Sequence, residues 1–98
     1  MRAKRVDSNQ SEVVKAFRKL GCWVFDLSAV GKGLPDLLIS VPPHHVLALC
    51  EIKDGEKSPS RRKLTKAEEE FHEECPSMVW IIKDLEDVRT LVRYYRQG

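Results

Sequence analysis

The chain reads as an α/β protein, a mixed four-stranded sheet flanked by helices in the order αβββαβα. Three observations carry this reading. Apolar residues recur at helical spacing in a first and a last segment. Four short runs rich in branched and aromatic residues lie between them. A Pro-Pro-His-His turn joins two of those runs as a hairpin. With 98 residues, 42% of them apolar, the chain has material for one modest core. No repeat or linker divides it, so residues 1–98 form a single domain.

Each element has its own justification. From about Ser8 to Leu20, Val13, Ala16, Phe17 and Leu20 share one helical face. Ser8 or Asn9 is placed to cap this helix, and Gly21 to close it. Trp23, Val24, Phe25 and Leu27 make a short strand, followed by the flexible Gly31-Lys32-Gly33 loop. Leu37–Val41 and Val46–Lys53 are the hairpin strands, both apolar on both faces and so expected to be buried on both. Residues 54–63 are a polar loop. Thr65-x-x-Glu68 is a capping box opening a helix through about Glu74, which Pro76 stops. Met78–Ile82 is the fourth strand, and Asp84 caps a last helix with Val88, Leu91, Val92 and Tyr95 on one face. Trp23, Trp80 and Phe71 fit core positions, and His44 and His45 a solvated turn tip.

Composition excludes several classes. No apolar run approaches the ~20 residues a membrane span needs, and the polar start has no signal-peptide segment, so the chain reads as cytoplasmic. Cys22, Cys50 and Cys75 lack the close spacing of a zinc site and read as thiols of a reducing compartment. The net charge of +2 is small, but its distribution is uneven. Lys57, Arg61, Arg62, Lys63 and Lys66 crowd one loop, with Arg2, Lys4 and Arg5 at the start and Arg89, Arg93 and Arg96 near the end. Such clusters suit phosphates; equally, they are solvated charge balanced by Glu68, Glu69, Glu70, Glu73 and Glu74.

The chemistry centres on Asp36, an acid at the mouth of an apolar strand. If Pro42–His45 is a four-residue loop, Val41 faces Val46 and Asp36 falls opposite Glu51 on the same face of the sheet. Lys53, two residues on, returns to that face. Opposed acids have Cβ atoms about 4.5–5.5 Å apart and repel unless a cation lies between them. One lysine offsets part of this. A hard divalent cation such as Mg²⁺, which binds through carboxylates and phosphate oxygens, offsets it better. The bland alternative is that Asp36 caps a turn and Glu51–Lys53 is a surface pair.

Pro35-Asp36 followed by Glu51-Ile52-Lys53 resembles the PD-(D/E)XK nuclease motif. The segments "AVGKGLPDLLIS" and "EIKDGEKSPSRRKLT", after a leading helix, resemble the VRR-NUC branch of that superfamily over nearly the whole chain. The resemblance implies the restriction-endonuclease-like fold and Mg²⁺- or Mn²⁺-dependent hydrolysis of DNA phosphodiesters. Asp36, Glu51 and the Ile52 carbonyl would hold metal, and Lys53 would orient or help deprotonate the attacking water. Glu12 matches an acid of the family's first helix that faces the metal. Lys32 could reach a phosphate, and Arg61, Arg62 and Lys63 are candidates for DNA-backbone contacts. Standalone relatives resemble Holliday junction resolvases working as homodimers, so branched DNA and a second copy are the implied partners, in a bacterial or phage-infected cell. Glu68 departs from the pattern, standing where many relatives carry glutamine. The competing readings are a non-catalytic DNA-binding module and a nuclease subunit that needs a partner.

Overall fold

The computed structural model describes residues 8–97; Arg2, Lys4 and Arg5 lie outside them. The elements are α1 (Gln10–Lys19), β1 (Trp23–Asp26), β2 (Leu37–Val41), β3 (Val46–Ile52), α2 (Lys66–Glu74), β4 (Val79–Ile82) and α3 (Leu85–Arg96). This is the expected αβββαβα order. Inside the polar loop, Pro59–Arg62 adds a 3₁₀ turn, where proline near the start presets a helical φ. The strands lie side by side in the order β1-β2-β3-β4; β1, β2 and β3 pair antiparallel, and β4 joins β3 in parallel.

The hairpin closes in the register that its loop length implies, with Val41 opposite Val46 and Leu37 opposite Cys50. Because opposed residues share a face, the register separates two surfaces. One carries Val24, Leu37, Ile39, Val41, Ala48, Cys50, Ile52 and Ile82, all buried with Val13, Phe17, Val88, Leu91 and Val92 of α1 and α3. Fully burying a side chain such as Phe17 or Leu91 contributes about 1.5–3 kcal/mol.

The opposite face departs from expectation. Trp23, read as a core residue, is 52% exposed, as is Phe25, and Leu47 on the same face is 64% exposed. The physical reason is coverage. The helix on this side is α2, whose nine residues span only about 13 Å, and it sits at the end of the sheet that holds Glu51 and Lys53. Trp80 and Phe71 are half-buried, and the Trp80 indole donates to the Tyr95 hydroxyl at 3.0 Å.

Helix ends follow the sequence signals with one correction. The Thr65–Glu68 capping box is complete, and Asp84 accepts from the Asp87 N–H. Asn9 precedes α1, but its side chain makes no cap bond. Its amide instead donates to the carbonyls of Lys53 and Lys83, at 3.2 and 3.1 Å, bracing the adjacent ends of β3 and β4. Gly33 has φ +79°, and a Cβ there would collide with the Ala67 carbonyl of α2. Gly33→Ala should therefore lower unfolding free energy by at least about 2 kcal/mol, combining left-handed strain with the clash; urea titration measures this.

Cys22 and Cys50 are buried thiols and Cys75 is half-buried. Burial pushes the Cys50 thiol far up, with Cys22 and Asp36 adding to it. Burial also raises Cys22, against a smaller lowering by Arg96. A thiol whose pKa rises on folding stabilises the fold fully below its unfolded value, near 8.5, and loses that contribution as pH climbs above it. At neutral pH, iodoacetamide should label Cys75 in the native protein and reach Cys22 and Cys50 only after unfolding, as read by mass spectrometry.

Candidate active site

Asp36 follows the Gly33-Leu34-Pro35 turn and immediately precedes β2. Its carbonyl accepts from the Leu27 N–H at 2.7 Å, which continues the β1–β2 pairing beyond the strand. The side chain is 2% exposed, and Oδ2 accepts from the Ile52 backbone N–H at 2.7 Å. A charge-assisted bond to a backbone donor of the neighbouring strand offsets part of the cost of burying this acid.

One step beyond the last ladder pair, Leu37 with Cys50, antiparallel alternation puts Glu51 across from Asp36, and Glu51 is fully buried. His72 of α2 places Nε2 3.8 Å from Glu51 Oε1. Lys53 shares this face, and its ammonium lies 2.9 Å from Glu68 Oε1. Its backbone N–H donates to the Ile82 carbonyl at 3.0 Å, so β4 holds the lysine's backbone in line with the sheet. Glu68 and His72 are the neighbours that sequence reasoning left out. A signal for them was present: the capping box sets the frame of α2, and residues four apart on a helix share a face.

Other expected site residues lie elsewhere. Glu12 is exposed on α1, at a cleft of about 390 Å³ whose lining includes Asp54, Glu56, Lys83 and Asp84. Helix α1 packs on the face opposite the one that carries Asp36 and Glu51. The buried polar residue at its start is Gln10, whose amide donates to Asp26 Oδ2 at 3.1 Å. Asp26 also accepts from the Ser28 N–H and hydroxyl. Burial works to raise the Asp26 carboxyl, but these three bonds outweigh it and hold the pKa below the ordinary value. Lys32 is exposed with φ 58°, one residue before the Gly33 contact with α2. Arg61 and Lys63 are exposed and Arg62 half-buried, at the 3₁₀ turn that precedes α2. His44 and His45 are exposed at the hairpin tip.

Among the described residues, no group of three or more His, Cys, Asp or Glu side chains is gathered to hold a metal ion. The buried carboxylates of Asp36 and Glu51, with the Ile52 carbonyl, nonetheless offer hard oxygen donors. That set fits a cation which takes its remaining ligands from water and phosphate, as Mg²⁺ does.

The fold is a mixed four-stranded α/β sheet with three helices, and its likeness to a solved structure makes it nuclease-type. The particular likeness is to a solved VRR_NUC domain, with a TM-score of 0.59 and 28% sequence identity. The match covers 91% of this chain and 99% of that one. No protein-family profile and no curated protein matches the chain.

Proposed function

We propose that the protein is a divalent-metal-dependent DNA endonuclease acting through Asp36, Glu51 and Lys53. What carries this reading is two almost fully buried carboxylates, one step beyond the Leu37–Cys50 pair, where the hairpin register extended puts Asp36 across from Glu51, with Lys53 returning to their face. A binder of DNA has no use for paired acids that repel phosphate. The VRR_NUC likeness supports the same class.

In this reading Asp36, Glu51 and the Ile52 carbonyl hold Mg²⁺ or Mn²⁺. The metal would polarise the phosphate and lower the pKa of bound water. The chain's own residues do the rest. The Ile52 N–H fixes the Asp36 carboxylate, and the sheet register fixes Glu51 beside it. Lys53 places a positive charge where the phosphorane gains negative charge, and orients the attacking water. Glu12, at its cleft on α1, is kept as the further acid of the metal site that the family resemblance implies. Lys32, Arg61, Arg62 and Lys63 contact the DNA backbone without reading sequence.

Branched DNA such as a Holliday junction is the substrate we favour, cut by a homodimer that presents two sites. The uncovered sheet face around Trp23, Phe25 and Leu47 supports a second copy as the partner, since patches of this kind mark association surfaces. Leu47→Glu should leave the fold intact and convert a dimer to a monomer in sedimentation velocity. Among the described residues no helix is long and apolar enough to cross a membrane; the cytoplasm is the compartment we favour.

The deciding experiment is cleavage of labelled four-way-junction, flap and duplex DNA with Mg²⁺, Mn²⁺ or EDTA. Metal-dependent cutting is expected. Binding by a folded protein that never cuts under either metal would hand the case to a non-catalytic module or a subunit lacking its partner.

A further inference from the structure

We propose that Glu68 is a positioning residue for Lys53, holding its ammonium in place before substrate arrives and releasing it to a DNA phosphate. The proposal deepens the nuclease reading and rests on it for its catalytic consequence. Three observations carry it. First, Glu68 is a carboxylate only 2% exposed, on a helix that otherwise presents acids to solvent at Glu69, Glu70, Glu73 and Glu74. Second, one oxygen, Oε1, accepts both from the Lys53 ammonium at 2.9 Å and from the Thr65 backbone N–H at 2.8 Å. The atom that aims the lysine is thus also the atom that closes the capping box of α2. Third, the Gly33 backbone packs against the Ala67 carbonyl, one residue before Glu68. The loop that delivers Asp36 and the helix that delivers Glu68 are therefore set against each other.

The consequence follows from charge. A lysine aimed by a glutamine would keep its full positive field for an incoming phosphate. A lysine aimed by a glutamate has that field partly cancelled, so DNA must compete with Glu68 for it. Capping boxes work with either residue at this position, which lets charge be changed while the hydrogen-bond geometry is kept. Glu68 thus makes phosphate binding weaker while keeping the lysine ordered for the transition state.

The test is a double-mutant cycle on DNA affinity in EDTA, where no cleavage occurs, with fluorescein-labelled four-way-junction DNA and anisotropy as the readout. The variants are Glu68→Gln, Lys53→Met and the protein carrying both, each checked by circular dichroism. Lys53→Gln replaces Lys53→Met if the latter unfolds. Glu68→Gln should tighten binding about three- to tenfold, and the gain should vanish when Lys53 is absent. An equal gain without Lys53 would mean that Glu68 acts only as one negative charge among many, and the proposal falls. With Mg²⁺ or Mn²⁺, Glu68→Ala should lower kcat about tenfold or more, while Glu68→Gln recovers most of that loss and lowers KM. If Gln and Ala lower kcat alike, Lys53 is not being aimed and the proposal fails. A wild type that never cuts would remove the nuclease reading but leave the binding cycle to decide the Lys53–Glu68 coupling.

Discussion

Lys53→Met should abolish metal-dependent cleavage and destabilise the fold together, and the two losses should be separable. The activity loss is expected at about 10²–10³-fold in kcat, the scale seen when one preorganised electrostatic group leaves a reacting centre. The stability loss has another origin. Glu68 is 2% exposed and Lys53 sits 2.9 Å from it, so the variant removes a cation from a buried carboxylate. Breaking such a pair from one side costs about 3–5 kcal/mol, much of it the penalty of the charge left behind. Adding Glu68→Gln should return most of that stability, because the remaining side chain is neutral and still closes the capping box. It should return none of the activity. Chemical denaturation of both variants beside single-turnover cleavage checks the pair of claims, and recovery of cutting in the double variant would refute the role given to Lys53.

Glu51→Gln should do the reverse to stability. In the absence of metal, Glu51 and Asp36 are two acids in a site with almost no solvent, with His72 Nε2 3.8 Å from Glu51 Oε1. Neutralising one acid relieves repulsion. If that repulsion is about 1 kcal/mol, the melting temperature in EDTA rises by about 4–8 °C for a domain of this size. The same substitution removes a metal ligand. The wild type should gain about 2.7 kcal/mol of stability at a metal concentration 100 times its Kd, and the variant should gain little. Cleavage should fall with the metal response. A variant that is less stable in EDTA yet still responds to Mg²⁺ would show that Glu51 is a structural acid. This exchange of stability for function is the usual mark of a working site.

Much of the architecture was legible because local signals agreed. Thr65 with Glu68 and Asp84 each open a helix where the periodicity starts, and Gly21 at φ +91° follows one where it stops. The opposition of Asp36 and Glu51 followed from loop length, since four residues between Val41 and Val46 leave one antiparallel register. What stayed hidden depends on tertiary packing. Trp23 and Phe25 have the composition of a buried strand, and composition does not say whether a helix covers that side. Asn9 has the chemistry of a cap, but two strand-end carbonyls compete for its amide and win. Glu12 sits on the regular periodicity of α1, which shows its helical face but not the side of the sheet on which that helix lies. The bond from the Ile52 N–H to Asp36 was invisible because a main-chain donor leaves no trace in side-chain spacing.

The bare sheet face has a consequence for handling and abundance. Trp23, Phe25 and Leu47 sit in water when the chain is by itself, so whatever covers them adds to the free energy of the folded state by mass action. If that cover is a second copy, the melting temperature becomes a function of protein concentration. Dilution then does what a core mutation does elsewhere. A cell holding few copies would then hold them in their least stable form, and the same dilution would take apart the two-site assembly proposed above.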